Sequence, residues 1–259
     1  MTTTDRVAES PLFDSRRIAR CTFDSCRAHW LKLSLAGVFF ISTPHLVSAW
    51  LLYPTLHPPS WHVSQLWFTL VYRVADGAVV GVFQAWVTLT IVADVHGDSR
   101  DHRGVIVRQV GARALAVMGT GIVYAVCTAL GLVLLIVPGV VLSIAWLVAV
   151  PCAAAEELGP RRAIGRSLTL TKGHRGDVFG LVAAWSIAAL VINLAVVEVG
   201  SGWAPLKAAA QAPLVALVLS PMVGLVFGII GAVGVACIYY ELATLNGGGP
   251  RAVVADVFS

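Results

Sequence analysis

The sequence predicts an all-α fold, a polytopic membrane bundle of six transmembrane helices with short interfacial amphipathic helices. Three observations predict it. Hydrophobic residues make up 58% of the 259 residues and charged residues only 12%, about half the charged share of a typical soluble domain. The apolar residues are gathered in long runs. All but two of the 18 Lys and Arg residues lie in the N-terminal segment, in every second gap between those runs, or in the tail; the exceptions are Arg73 and Lys207.

This charge distribution predicts the orientation of the chain. Lys and Arg are retained in cytoplasmic loops when helices insert into a bilayer. We therefore predict a multi-pass protein of the inner or plasma membrane with both termini in the cytoplasm. Residues 1–30 form a cytoplasmic segment with an interfacial helix, residues 31–245 the six-span membrane domain, and residues 246–259 a cytoplasmic tail.

The apolar runs set the six spans, because a hydrocarbon core of ~30 Å requires about 20 helical residues. In chain order the predicted spans are Leu31–Tyr53, Val71–Val95, Ala112–Val137, Val140–Ala155, Val178–Val199 and Pro213–Tyr240. Pro44 should kink the first span. The uncharged pair Pro138-Gly139 predicts a tight turn, so that the third and fourth spans form an antiparallel hairpin.

The basic segments resemble one another, which predicts a threefold repeat of interfacial helix, span and span. In the third segment Ile164, Leu168 and Thr171 share one helical face, and the basic residues lie opposite. This period is typical of amphipathic helices in the headgroup layer. The alternative is that each segment is basic only because it borders a membrane.

Glycines spaced three or four residues apart predict close contacts between helices, since small residues let backbones approach in lipid. Such pairs occur in the second and sixth spans: Gly77 with Gly81, Gly224 with Gly228, and Gly231 close to Gly234. We expect the sixth span to be centrally packed.

Ionisable residues at membrane depth are costly and are candidates for function. Arg73 and Asp76 lie three residues apart and can pair on one face of the second span. His45 follows the Pro44 kink, and Glu198 lies near the outer end of the fifth span. If these four residues line one path, the chain is a small-solute or ion transporter or channel. The alternative is an orienting ion pair and a histidine bonded to a freed carbonyl.

Three carboxylates border the predicted cytoplasmic face. Glu156 and Glu157 end the fourth span and precede a basic run, and Glu241 ends the sixth. We expect them to pair with the basic residues rather than to act as an acid–base pair. The basic residues that follow the fourth span, here called the basic collar, are the predicted contacts for lipid or a partner: Arg161, Arg162, Arg166, Lys172 and Arg175.

Several function classes are disfavoured. The net charge of +4 belongs to residues that flank apolar runs, so we expect no nucleic-acid partner. No nucleophile elbow, phosphate-binding loop or zinc-protease motif occurs. His96, Asp98, Asp101 and His102 form a polar loop that we interpret as a solvated turn. We predict no enzyme activity, no metal site and no cofactor, and no structural disulfide on a reducing face.

The stretch around the fourth span resembles the glycerophosphoryl diester phosphodiesterase membrane-domain family. The elements that carry the resemblance are Pro138-Gly139, Pro151, Glu156 or Glu157, Ala163, Arg166-Ser167, Leu170, Lys172-Gly173 and the tail segment IYYELATLNGG. The resemblance covers roughly Leu31 to Gly248 and is most specific over Leu134–Gly180. It implies a six-span helical domain whose function is largely unestablished. The triplet His174-Arg175-Gly176 is similar to the opening of that family's catalytic domain, but its acidic partners do not follow.

The leading hypothesis is therefore a non-enzymatic membrane protein, either a lipid-interacting domain or a scaffold. Its expected partners are membrane lipids with anionic headgroups, and a membrane-protein partner is a further expectation. Each basic residue near an anionic surface contributes about 1 kcal/mol, so the basic collar would select such lipids.

Overall fold

The computed structural model describes residues 13–43, 63–95, 103–200 and 219–246, and within these ranges it contains helices and turns but no strand. In chain order the helices are α1 (Ser15–Gly37), a π-helical turn (Val38–Ser42), α2 (Val63–Val95), α3 (Arg103–Leu134), α4 (Ile136–Ala145), α5 (Ala149–Ala155), α6 (Pro160–Leu170), α7 (Arg175–Gly200) and α8 (Ser220–Leu245).

Five segments of these helices are long and apolar enough to cross a membrane. They are Ala75–Ala93 in α2, Val110–Gly131 in α3, Val137–Ala155 across α4 and α5, Arg175–Val196 in α7, and Pro221–Leu245 in α8. They correspond to the second to sixth predicted spans, so the chain is a helical membrane protein. The predicted first span continues past Thr43 into residues outside the described ranges, as does the predicted kink at Pro44.

The predicted interfacial helices differ from one another. The segment before the first span forms the N-terminal half of α1, which Asp14 caps by accepting bonds from the backbone N–H groups of Arg16 and Arg17. A non-helical His29 (φ −121°, ψ 17°) separates this half from the rest of α1. The second segment forms no separate helix, because α3 runs unbroken over Arg103–Leu134. Only the third, α6, stands alone, so the threefold repeat stays a prediction.

The hairpin between the third and fourth spans turns earlier than the sequence indicated. Leu135 is extended (φ −156°, ψ 118°) and makes the turn, while Pro138 and Gly139 lie in the first turn of α4. Proline suits that position because its missing N–H would have no helical partner there. Gly139 instead allows α3 and α4 to approach closely, since a Cβ built on Gly131 of α3 would lie 3.0 Å from the Gly139 Cα.

The fourth span is broken rather than continuous. Trp146, Leu147 and Val148 form turns between α4 and α5. The cause is Pro151, which has no N–H for the carbonyl of Leu147 four residues earlier and whose ring crowds that carbonyl. The short helix α5 that follows is buried along its whole length.

Glycine sets the contact between α2 and α3. A Cβ on Gly121 would lie 2.8 Å from the carbonyl oxygen of Gly77, and Gly81 faces the Cα of the same glycine at 3.6 Å from its built Cβ. The helix α8 packs against α1, α2, α5 and α7, which places it centrally. Of its glycines, Gly228 faces Ile41, whereas Gly224 has no atom within 4 Å of its built Cβ.

Candidate functional site

Glu156 is placed by the way α5 ends. Its backbone N–H donates to the carbonyl of Cys152 at 3.0 Å and closes the last turn of the helix. Glu157 then takes a left-handed conformation (φ 54°), and Pro160 starts α6 as its first residue. This tight reversal lays α6 beside the end of α5, so that the two helices face each other across Glu156.

The carboxylate of Glu156 is an acceptor shared by two other helices. The Nε of Arg166 in α6 lies 3.1 Å from Oε1 and 2.9 Å from Oε2. The hydroxyl of Tyr239 in α8 donates to Oε1 at 3.2 Å. Tyr239 is fully buried, and 13% of the Glu156 side chain is exposed. We refer to Glu156, Arg166 and Tyr239 as the carboxylate cluster.

Glu157 does not join the basic residues of α6, as the sequence analysis expected. It forms an ion pair with Arg113 of α3, whose guanidinium also donates to the carbonyl of Ala154 at 2.5 Å. The left-handed turn at Glu157 directs its side chain away from α6 and towards α3. Arg113 thereby satisfies a carbonyl at the end of α5, where helical partners are lacking.

The face of α6 that is buried in the protein shares Thr171 with the predicted stripe but otherwise differs from it. Ala163, Ser167, Leu170 and Thr171 are buried, whereas Leu168 is exposed. The hydroxyl of Ser167 donates to the carbonyl of Ala145 at 2.9 Å, and the hydroxyl of Thr171 lies 3.4 Å from the same oxygen and 2.9 Å from the carbonyl of Ser167. That carbonyl lies next to the break between α4 and α5, so α6 supplies hydrogen bonds that the broken helix lacks. This polar requirement, rather than apolar periodicity, selects the face.

The third carboxylate, Glu241, attaches α1 to α8. Its side chain is 4% exposed, and its Oε1 lies 3.6 Å from an Nη of Arg17. One helical turn away, Cys21 and Cys237 form a disulfide with their Cα atoms 6.2 Å apart. The expectation of no structural disulfide was wrong for this pair, because packing of α1 along α8 brings the two side chains together.

The basic collar divides into two parts. Arg161, Arg162, Lys172 and Arg175 are exposed, whereas Arg166 turns inward to the carboxylate cluster. The exposed side of α1 adds further basic residues. Arg16, Arg17 and Arg20 lie at the same end of the bundle, where Phe13 stacks on His174, and Arg27 and Lys32 lie farther along the helix. The site is therefore a positively charged surface over an interior in which Glu156 and Glu241 face arginines.

The intramembrane candidates are described only in part. His45 lies outside the described residues, and Arg73 and Glu198 lie in the parts of α2 and α7 whose side chains are not described. Asp76 is half-buried in α2, and its Oδ1 is buried with no hydrogen-bond partner among the described residues. The transporter alternative therefore rests on side chains outside the described set.

The described residues contain no group of three His, Cys, Asp or Glu side chains that could hold a metal ion; the His96 to His102 loop lies outside them. Both oxygens of Glu156 already accept hydrogen bonds. Its pairing with Arg166 and its bond from Tyr239 are typical of a structural ion pair.

Sequence reasoning missed Tyr239 and the role of Arg113. Tyr239 lies 83 residues from its partner Glu156, so no local spacing connects them. The sequence did offer one indication, which is that Tyr239 carries a hydroxyl within an otherwise apolar span. A buried tyrosine hydroxyl usually has a hydrogen-bond acceptor. Arg113 was counted only as one of several basic residues that precede the third span.

Comparisons with known proteins return no match, whether to a family model, to a curated protein or to a solved structure.

Proposed function

We propose that this membrane protein binds anionic phospholipid headgroups through its basic collar and the adjoining basic side of α1. The observation that carries the proposal is that four of the five collar residues are exposed while Arg166 is held by Glu156. Arg166 is the collar residue that balances an internal carboxylate. Among the described residues, no carboxylate forms an ion pair with Arg161, Arg162, Lys172 or Arg175, and these four border helices that span the membrane.

The energetics favour selective binding. Each Lys or Arg close to an anionic leaflet contributes about 1 kcal/mol, an effect that fades within a Debye length. The carboxylate cluster and the Ser167 and Thr171 bonds hold α6 rigidly, so less conformational entropy is lost when lipid binds. We propose further that the collar faces the cytoplasm, which by the positive-inside rule favours a cytoplasmic position for both ends of the chain.

The test is lipid selectivity in nanodiscs or by native mass spectrometry, with phosphatidylglycerol and phosphatidylcholine that carry the same acyl chains. We expect a preference for phosphatidylglycerol that weakens as salt is raised. The variant R161Q/R162Q/K172Q/R175Q should lose about tenfold or more of that preference, as a loss of more than 1.4 kcal/mol requires. The charge-preserving variant R161K/R162K/R175K is the matched control and should keep it. Equal binding of both lipids by the unaltered protein refutes the proposal.

Membership of the glycerophosphoryl diester phosphodiesterase membrane-domain family is part of the same proposal. Its support is that positions carrying the resemblance come together around one structural unit. Pro151 accounts for the break of the fourth span, Glu156 bonds Arg166, and Ala163, Ser167 and Leu170 are the buried face of α6. A structure of a family member with the matching glutamate and arginine unpaired would count against it.

A further inference from the structure

An apolar groove lies between α1, α7 and α8. Its volume is about 370 Å³, within the range of cavities that hold small organic ligands. Gly231 and Gly234 of α8 form its floor, and Phe23 of α1 and Trp185 of α7 lie on opposite walls. The groove exists because the floor residues lack side chains: the nearest neighbour of a Cβ on Gly231 would be the Trp185 Nε1, at 3.5 Å.

The chemistry of the lining points to a hydrocarbon occupant. Thr22 carries the only hydroxyl in the lining, and it donates to the carbonyl of Ile18 at 2.8 Å instead of pointing into the groove. Burial raises the pKa of the Cys26 thiol, so this lining residue stays uncharged near neutral pH. Almost every other lining side chain is aliphatic or aromatic.

The position of the groove selects between hydrocarbon ligands. Its α7 wall and its α8 floor belong to the spans Arg175–Val196 and Pro221–Leu245, so it opens within the apolar layer, where a water-soluble peptide does not reach. Along α8 it extends from Ile230 to Ile238, about 12 Å of helix. The hydrocarbon half of one leaflet is ~15 Å deep, which matches a lipid chain entering from one side.

Positive charge borders the end of the groove that faces the basic collar. Phe23 shares a helical stripe with exposed Arg16 and Arg20, which lie on its collar side, because residues three and four positions apart lie on one face. Arg175 begins the α7 wall at the same end. The groove thus combines an apolar cavity about as long as an acyl chain with arginines at one end. These two features match the acyl chain and the negative headgroup of an anionic phospholipid.

We propose that this groove holds one acyl chain of an anionic phospholipid whose headgroup lies against the arginines of α1 and α7. The inference rests on the proposed function, since it takes the headgroup selectivity from that proposal, and it adds a defined site for one lipid molecule. A lipid held in this way is retained longer than the lipids that merely surround the spans.

The first experiment is native mass spectrometry of the full chain with dioleoyl phosphatidylglycerol. We expect one lipid to remain bound at collision energies that remove the others. Gly231→Leu fills the floor of the groove and should lower the retained fraction at least about fivefold. The matched control is Gly224→Leu, on the same helix, where no atom lies within 4 Å of the built Cβ, and it should retain the lipid. Equal retention in both variants overturns the proposal.

A second measurement uses the unaltered protein, so it does not depend on whether a variant folds. Phosphatidylglycerol with a photoreactive diazirine near the middle of one chain is incorporated, irradiated, and its attachment sites are mapped by peptide sequencing. We expect the sites to concentrate on residues 18–26, 181–185 and 230–238. Attachment spread over the exposed outer residues of α7, such as Ile187 and Leu190, or a dimer mass with no bound lipid, overturns the proposal.

The outcomes separate the two proposals. Suppose that headgroup preference is absent while one lipid is retained by the unaltered protein and lost in Gly231→Leu. In that case the groove does hold an acyl chain, but the proposed function and the assignment of the headgroup both fail. If preference is present and depends on the collar but Gly231→Leu and Gly224→Leu behave alike, the proposed function stands and the groove site fails.

Discussion

The Nε of Arg166 lies 3.1 and 2.9 Å from the two carboxylate oxygens of Glu156, and ten residues separate them in the chain. The reversal at Glu157 makes this contact possible, and Tyr239 donates to the same carboxylate from α8. One carboxylate therefore fixes the position of α6 against both α5 and α8. Because α6 carries Arg161 and Arg162 on its exposed side, the cluster also determines where those charges stand.

Glu156→Gln should loosen α6. The amide has nearly the same shape, but it removes the negative charge and leaves the inward-facing Arg166 without its counterion. We expect a loss of about 1–3 kcal/mol in unfolding free energy, the usual cost of an unsatisfied buried polar group. Thermal or denaturant unfolding in detergent, followed by tryptophan fluorescence, measures it. Asp177→Asn, at a carboxylate that is 61% exposed, is the control and should stay within about 0.5 kcal/mol.

Tyr239→Phe tests whether the cluster acts as a unit. On its own, Tyr239→Phe should lower the unfolding free energy by about 1 kcal/mol, the net contribution of one hydrogen bond. In the Glu156→Gln background the same change should cost less, because residues in one hydrogen-bond network are not additive. Strict additivity across this double-mutant cycle would show that the tyrosine hydroxyl does not depend on Glu156.

Gly121→Ala should destabilise the contact of α2 with α3. Its Cβ would lie 2.8 Å from the carbonyl oxygen of Gly77, and a backbone atom cannot move aside as a flexible side chain can. Overpacking of this kind costs about 1–3 kcal/mol. Gly111→Ala, on the same helix with no atom within 4 Å, should be neutral or slightly stabilising. Equal melting temperatures for the two variants would contradict the close approach.

Much of this fold is readable from the sequence because the bilayer imposes simple rules. Long apolar runs indicated the five spanning segments, although α2 begins at Val63 and α3 at Arg103, before the predicted Val71 and Ala112, and alternate basic gaps indicated the exposed collar. Small residues four apart marked the contact at Gly77 and Gly81 because close helix packing in lipid depends on backbone approach. These features depend on local composition, which a sequence displays directly.

The parts that escaped prediction depend on pairing across distance. Glu157 was expected to meet the arginines next to it in sequence, yet a left-handed backbone turns it to Arg113, 44 residues away. The buried face of α6 follows the demand of the Ala145 carbonyl, which appears only once Pro151 has broken the fourth span. Neither the direction of a turn nor an unsatisfied carbonyl is visible in hydrophobic periodicity.

Gly173→Ala should strain the junction between α6 and α7. Gly173 has a φ of +93° with open space around it, so the cost is conformational rather than steric, about 1–2 kcal/mol. Gly165→Ala is the control, because Gly165 lies exposed within α6 with the same open space. There alanine should stabilise by about 0.5–1 kcal/mol. Unfolding of both variants in parallel gives the comparison, and a stabilised Gly173→Ala would exclude the left-handed turn.

The disulfide between Cys21 and Cys237 should be detectable as one cross-linked peptide pair after digestion of protein that has been alkylated without prior reduction. Cys26 and Cys127, which are free, should be alkylated in the same sample, although Cys26 lines an apolar groove and should react slowly. Alkylation of both Cys21 and Cys237 before reduction would contradict the pairing.

The same bond should stabilise the attachment of α1. The cross-link joins residues 216 positions apart, so it restricts a long loop in the unfolded chain, and such bonds typically contribute about 2–4 kcal/mol. Reductant should therefore lower the melting temperature of the unaltered protein, and Cys237→Ser should show the lowered value with or without reductant. Cys127→Ser, which touches neither partner, should respond as the unaltered protein does. If reductant shifts Cys237→Ser as much as the unaltered protein, its effect arises elsewhere, and only the Arg17–Glu241 pair and apolar packing hold α1 on α8.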